Sequence, residues 1–148
     1  MKRLSELVGT RVMSRDSAER VGKLERVVFD NPPRRITAVQ VGKSLVDWEA
    51  VSGLGTDAVV IDSGEALRSP SGRREEQAVA GAYDWKGKRV LSDGGTEVGT
   101  IVDVEVDETT GAIESVETTA SRLGTDRLVA LGSYCLIVAD DARAGAQA

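Results

Sequence analysis

Three carboxylates alternate along one predicted strand in the second half of the chain. Asp103, Glu105 and Asp107 stand at every second position. Because a strand turns successive side chains to opposite faces, all three would lie on the exterior, about 7 Å apart. Carboxylate oxygens at that spacing could hold a divalent cation. A solvated acidic face that keeps a sheet edge from pairing explains the same pattern, and on this reading no metal is expected.

Other residues that could carry catalysis are scarce. The chain has no histidine, which removes the commonest general base. Its one cysteine, Cys135, stands in the apolar run Tyr134-Cys135-Leu136-Ile137-Val138, which predicts a buried small hydrophobic residue rather than a nucleophile. We therefore expect a protein that is not an enzyme and has no cofactor.

The dominant pattern is an internal duplication. Residues 21–30 and 98–107 share one pattern of glycine, aliphatic and acidic positions, 77 residues apart, and the match extends over most of each half. Upstream of these segments the offset becomes 78. Positions that correspond include Gly22 and Gly99, Leu24 and Ile101, Val27 and Val104, Asp30 and Asp107, Ile36 and Ile113, and Val59-Val60-Ile61 and Leu136-Ile137-Val138.

Each repeat predicts five or six short strands separated by turns. Gly22 and Gly99 lie near the start of the longest strand, where glycine is typical of a bulge or a tight bend. Leu24 and Val27 are three positions apart, as are their counterparts, so both can face inward only if one residue bulges. The fold class expected is all-β, with two tandem small barrels of about five to six antiparallel strands each.

Composition divides the chain into four segments. We predict a first domain over 1–68, a linker with one short helix over 69–84, a second domain over 85–141 and a disordered tail over 142–148. A half of this size is marginal alone, so the two copies should pack together. The start of the chain has no apolar signal segment and no run is long enough to span a bilayer, which predicts a cytoplasmic protein without membrane insertion.

Charge is distributed unevenly. The net charge is −5; residues 1–70 carry 11 basic and 10 acidic side chains, whereas residues 71–148 carry 8 and 14. An acidic chain with only five aromatic residues is a poor partner for nucleic acid, which is therefore not expected to bind.

These motifs resemble those of a known family. The Gly-x-x-Val-x-Ser opening at Gly9 and Gly87, the Val-Gly strand at Val21 and Val98 and the closing apolar strand resemble the PRC-barrel family. That domain occurs in the cytoplasmic part of the photosynthetic reaction centre H subunit and in a ribosome maturation factor. The resemblance covers about 55 residues of each half. It implies a pair of barrels that act as an interaction module, without shared catalytic residues.

Two pairs of matched surface positions carry opposite charge. Arg20 corresponds to Glu97, and Arg26 to Asp103. We hypothesise that these faces form an interaction surface, either between the two barrels or head to tail between molecules. Independent drift on solvated surfaces explains the same difference.

The functions open at this point belong to different classes. The first is a scaffold or adaptor that binds protein partners of unknown identity or associates with itself into a homo-oligomer. The second is an RNA- or ribosome-associated assembly factor, for which the available basic cluster is Arg34 and Arg35 with Lys23 and Arg20. The third is a barrel that binds a metal or small molecule in a pocket between the copies.

Overall fold

The computed structural model describes residues 1–140, so the predicted tail over 142–148 lies outside the described residues. The described part is all-β, with two sheets, one for each half, and few helical turns. No helix of residues 1–140 is long and apolar enough to cross a membrane.

The first half and the segment after it contain seven strands and two α-helices. In chain order these are β1 (Lys2–Arg3), α1 (Leu4–Leu7), β2 (Arg11–Ser14), β3 (Arg20–Phe29), β4 (Ile36–Val41), β5 (Ser44–Asp47), a 3₁₀ turn (Trp48–Ala50), β6 (Val51–Leu54), β7 (Val59–Ile61), a 3₁₀ turn (Gly64–Ala66) and α2 (Gly72–Val79). The first sheet has the order β5-β4-β3-β2-β7-β6.

The second half repeats this series. Its elements are β8 (Arg89–Ser92), β9 (Glu97–Val106), β10 (Ile113–Thr118), β11 (Arg122–Gly124), a 3₁₀ turn (Thr125–Arg127), β12 (Leu128–Leu131) and β13 (Cys135–Val138). The second sheet has the order β11-β10-β9-β8-β13-β12, and β1 from the start of the chain pairs with β9. The first half thus lends its opening strand to the second.

The predicted bulge is confirmed in both copies. The register along β3 skips Glu25, and the register along β9 skips Val102, which is the matched position. Leu24 and Ile101 are consequently buried together with the apolar residues three positions later. The bulges keep both apolar positions on the inner face.

The two strand glycines occupy equivalent bends, as predicted. Gly22 has φ +151° and Gly99 has φ +138°. A Cβ on Gly22 would lie 2.8 Å from Cγ1 of Val41, and one on Gly99 would lie 2.7 Å from Oγ1 of Thr119. Both the backbone conformation and the close neighbour therefore require glycine.

The prediction that all strands are antiparallel is wrong for one pair in each half. The first and last strands of each half run parallel, β2 with β7 and β8 with β13. In the first half a 3₁₀ corner at Trp48–Ala50 joins β5 to β6, so that these two strands form one bent passage of the chain. Each half then has five passages, and the fifth runs in the same direction as the first.

Helix α2 covers an apolar area on the outside of the first sheet. Val28, Ala38 and Leu45 point outward from β3, β4 and β5 and pack with Ala78 of α2 as a separate buried cluster. The matched residues of the second sheet are Glu105, Ser115 and Arg122. This difference explains why the segment between the halves folds back on the first sheet.

The two halves share one apolar core. Buried side chains from both belong to a single continuous cluster. The N–H of Ile36 donates to the carbonyl of Gly111, and the N–H of Ile113 donates to the carbonyl of Arg34, each at 2.8 Å. Because these two bonds exchange under the 77-residue offset, the halves meet about an approximate two-fold axis, as in an isologous dimer.

One ion-pair cluster fastens α2 to the first sheet and predicts a pH dependence. Arg68 donates to both carboxylate oxygens of Glu75 at 2.7 Å and to Asp47 at 2.8 Å. The hydrogen bonds from Arg68 hold the pKa of Glu75 below its ordinary value. A lowered folded-state pKa contributes stability above the ordinary pKa, and this stability disappears as the pH falls through the lowered value.

We expect Glu75→Gln to lower the unfolding free energy by about 1 kcal/mol at pH 7 and by less at about pH 3, because protonation of Glu75 in the wild type weakens the same contact. Urea unfolding at both pH values measures this difference. Glu76→Gln is the matched control, because Glu76 forms no ion pair within residues 1–140. An equal effect of Glu75→Gln at both pH values would contradict the assignment.

Candidate interaction surfaces

Arg26 holds the segment that precedes the second half. Its guanidinium donates to Asp84 at 2.9 Å, to the side chain of Gln40 at 2.8 Å and to the carbonyl of Val79 at 2.7 Å. Strand β3 positions Arg26 immediately after the bulged Glu25, on the outer face of the first sheet. Arg26 thus serves an internal contact and is only 26% exposed.

Asp103 holds the segment that precedes the first half. Its carboxylate accepts hydrogen bonds from the backbone N–H of Ser5 at 3.2 Å, from the Ser5 hydroxyl and from the N–H of Val104 at 2.8 Å. The prediction that Asp103 lies exposed on the exterior is wrong, since it is 4% exposed. Helix α1 covers it from the other half.

Arg26 and Asp103 therefore have equivalent structural roles, although one is a cation and the other a carboxylate. Each binds the entry segment of the opposite half, and the two side chains do not contact each other within the chain. A contact between them across two molecules would require these internal bonds to break. The other predicted pair, Arg20 and Glu97, is exposed on the two sheets. Its meeting between molecules stays a prediction.

The carboxylates of the acidic row at β9 are engaged in contacts within the chain. Glu105 pairs with Arg122 at 2.5 Å, and Asp107 accepts the N–H groups of Thr109 and Thr110 at 2.7 and 3.1 Å. These backbone hydrogen bonds lower the pKa of Asp107. Among residues 1–140, no group of three or more acidic or cysteine side chains is arranged to hold a metal ion.

Lys88 is a half-buried cation whose structural role the sequence did not indicate. Its ammonium donates to the carbonyls of Ala82, Gly132 and Ser133 at 2.7, 2.8 and 3.2 Å, and burial lowers its pKa. Three carbonyl partners use all three N–H donors, so Lys88 links the entry segment to the β12–β13 turn. Nearby Cys135 is half-buried, not fully buried as predicted, because it points to the outer side of β13.

The basic cluster considered for RNA binding does not assemble. Arg20 and Lys23 lie at the start of β3, whereas Arg34 and Arg35 follow the far end of this ten-residue strand. Arg35 donates to the carbonyl of Thr110 in the second half. The four cations are thus split between opposite ends of the sheet.

An open groove of about 460 Å³ lies between the two entry segments. Its walls carry Ser5, Val8, Glu25, Arg26, Asp84, Trp85 and Lys86. The third function considered from the sequence requires a pocket between the copies, and this groove is the candidate for it. Its walls combine both signs of charge with two apolar side chains, which singles out no ligand class.

The second half carries an apolar face on its outer side. We use this name for Leu91, Val129, Tyr134, Cys135 and Ile137, which lie on β8, β12, β13 and the turn before β13. Val129 is 44% exposed and Tyr134 is 71% exposed. The guanidinium of Arg89 lies over the Tyr134 ring, 6.0 Å from its centre. Aromatic, aliphatic and arginine side chains together are typical of protein interfaces.

Three of the five matched positions in the first half are smaller or polar, whereas Leu91 and Ile137 match the apolar Met13 and Val60. Tyr134 corresponds to Asp57, Val129 to Ser52 and Cys135 to Ala58. Both halves have the same strands at these positions, so the fold does not demand the larger apolar side chains. Comparison of the two repeats at these outward positions is the sequence signal that could have identified this face.

The first half carries a cationic face at the corresponding place. We use this name for Arg11, Arg20 and Lys23, which point outward from β2 and β3 and are exposed. The matched residues of the second half are Arg89, Glu97 and Thr100, where Arg89 and Glu97 approach each other to 3.8 Å. The two outer faces therefore differ in chemistry although their backbones correspond.

Comparison with known proteins gives one family. The family model of the PRC-barrel domain matches the chain twice, over residues 1–68 and 79–145. No curated protein sequence matches the chain. The two matched ranges correspond to the two repeats.

Proposed function

Because the chain belongs to the PRC-barrel domain family, with one domain in each half, we propose that it is a non-enzymatic scaffold that binds protein partners through the outer sides of its two sheets. The observation that carries the proposal is the apolar face. Tyr134 and Val129 are exposed where the equivalent half has Asp57 and Ser52. Exposed apolar side chains that folding does not require are best explained by a partner that covers them.

The arrangement of the halves supports this proposal. The shared core, the two-fold bonds between β4 and β10 and the exchanged entry segments engage the inward surfaces. The differences between the two repeats at exposed positions, such as Tyr134 against Asp57 and Glu97 against Arg20, lie on the outer faces. Two unlike faces on one rigid unit fit an adaptor that holds two different partners.

The experiment exchanges the apolar face for its first-half counterpart. Tagged wild-type protein and the double variant Tyr134→Asp and Val129→Ser are used for capture from native extract, followed by quantitative mass spectrometry. We expect a stoichiometric partner of the wild type to fall at least about tenfold with the variant, as for loss of an aromatic hot spot. Light scattering of the purified wild type and the purified double variant reports self-association as a difference in mass.

Val102→Ser is the matched control, since Val102 is an exposed aliphatic residue, 43% accessible, outside the apolar face. It should leave capture unchanged. Equal partner recovery and equal mass for the wild type and the double variant would overturn the proposal.

A further inference from the structure

The cationic face of the first half has an electrostatic arrangement that folding alone does not account for. Arg11 and Lys23 are direct cross-strand partners on β2 and β3, and Arg20 is paired with Met13, two positions further along β2. Like charges directly opposite each other destabilise a sheet. Within residues 1–140 none of the three forms an ion pair. No ion pair in the described part of the chain therefore offsets this repulsion.

Each of the two arginines is oriented by a hydrogen bond to one backbone carbonyl. Nε of Arg11 donates to the carbonyl of Asp57 at 3.1 Å, and Nε of Arg20 donates to the carbonyl of Gly22 at 3.3 Å. These bonds hold the guanidinium groups and leave their terminal N–H groups without a protein acceptor in the described part of the chain. A guanidinium held in this way presents the planar pair of donors that a carboxylate accepts.

At the matched positions of the second half the positive charge is neutralised. There Glu97 and Thr100 replace Arg20 and Lys23, and Glu97 approaches Arg89. Only the first half retains three cations at this place.

We infer that the cationic face binds an acidic segment of a protein partner. Carboxylates of that segment would pair with Arg11, Arg20 and Lys23, and an apolar side chain of the segment would pack against Met13 and Val60. This inference rests on the proposed scaffold function and names the chemistry of one partner. Met13 and Val60 are neighbours on β2 and β7 and are half-buried beside the cations. An apolar strip next to the cations suits a peptide better than a phosphate backbone.

The charge on the rest of the molecule also favours an acidic peptide over a nucleic-acid phosphate backbone as the anion bound. The chain has a net charge of −5, and the excess of acidic side chains lies in residues 71–148, so a long polyanion such as RNA would be repelled by the second half. A protein segment needs to bring only two or three carboxylates to the cationic face. Lost ion pairs between exposed groups should weaken binding mainly at low salt.

Fluorescence polarisation at low ionic strength tests the inference with a labelled peptide of four glutamates around a central leucine. The controls are the same peptide with glutamines and an RNA oligonucleotide of equal charge. We expect the wild type to bind the glutamate peptide, and the triple variant Arg11→Gln, Arg20→Gln, Lys23→Gln to bind it at least about tenfold more weakly. Circular dichroism verifies that the variant is folded.

A second triple variant, Lys43→Gln, Arg73→Gln and Lys86→Gln, removes the same charge from exposed positions elsewhere. It should bind the glutamate peptide like the wild type. An equal loss in both variants, stronger binding of the RNA than of the peptide, or no peptide binding at all would overturn the inference. Capture through the apolar face is a separate result, so failure here leaves the scaffold proposal standing.

Discussion

Trp85→Ala should lower the unfolding free energy by about 3–5 kcal/mol, the usual range for removal of a buried tryptophan side chain. Trp85 is 8% exposed and lies in the segment that enters the second half. It lines the interior of that half together with Phe29 and Pro33 of the first half. Truncation would therefore leave a cavity at the place where the two halves share their core, and urea unfolding followed by circular dichroism measures the cost.

Two comparisons interpret this result. Leu7 is the matched residue of the first half and is 1% exposed, so Leu7→Ala should cost about 2–5 kcal/mol. Tyr134→Ala, at an exposed aromatic residue, should change stability by no more than about 0.5 kcal/mol. A cost below about 1 kcal/mol for Trp85→Ala would mean that Trp85 does not fill the shared core.

Asp103→Ala is the second large effect, with an expected loss of about 2–3 kcal/mol, because it removes a buried charged acceptor from three hydrogen bonds. The N–H of Ser5 and the N–H of Val104 then lose their partner. Helix α1 should detach from the second half as a result. Urea unfolding gives the free energy, and hydrogen exchange of residues 2–7 reports the detachment.

A conservative variant of Asp103 separates the loss of the hydrogen bonds that anchor α1 from the loss of the buried side chain itself. Asp103→Asn keeps one oxygen acceptor and the size of the side chain, so it should cost less than Asp103→Ala. Ser5→Ala removes only the hydroxyl and should be the mildest of the three. If residues 2–7 keep full protection in Asp103→Ala, the carboxylate is not what holds α1.

The core of each half could be predicted from the sequence because duplication supplies an internal control. Positions such as Leu24 and Ile101 are apolar in both copies, and their three-residue spacing to the next apolar position required a bulge. The structure has that bulge at Glu25 and Val102. Where both repeats keep one pattern, a shared physical requirement is the simplest reason.

Contacts between the halves could not be predicted in the same way. The burial of Asp103 depends on α1, which is distant in sequence and adds only a few residues to the second half. The covering of Val28, Ala38 and Leu45 by α2 likewise depends on how the linker folds back. A periodic pattern shows which face of a strand is apolar, but not which distant segment covers it.

The predicted charge pairs illustrate this limit. Opposite charge at Arg26 and Asp103 suggested that the two faces attract each other. In the structure each residue instead binds the entry segment of the other half, Arg26 through Asp84 and Asp103 through Ser5. The same comparison of repeats, applied to exposed outward positions, identifies the apolar and cationic faces.

The most direct test of the account concerns its central claim, that the two halves form one cooperative unit and leave only their outer faces for partners. Native-state hydrogen exchange in increasing urea measures the opening free energy of β3 and β9 separately. Both strands should converge on the same global value and the same denaturant dependence. If one half exchanges while the other retains its protection, the halves are independent domains and the account is wrong.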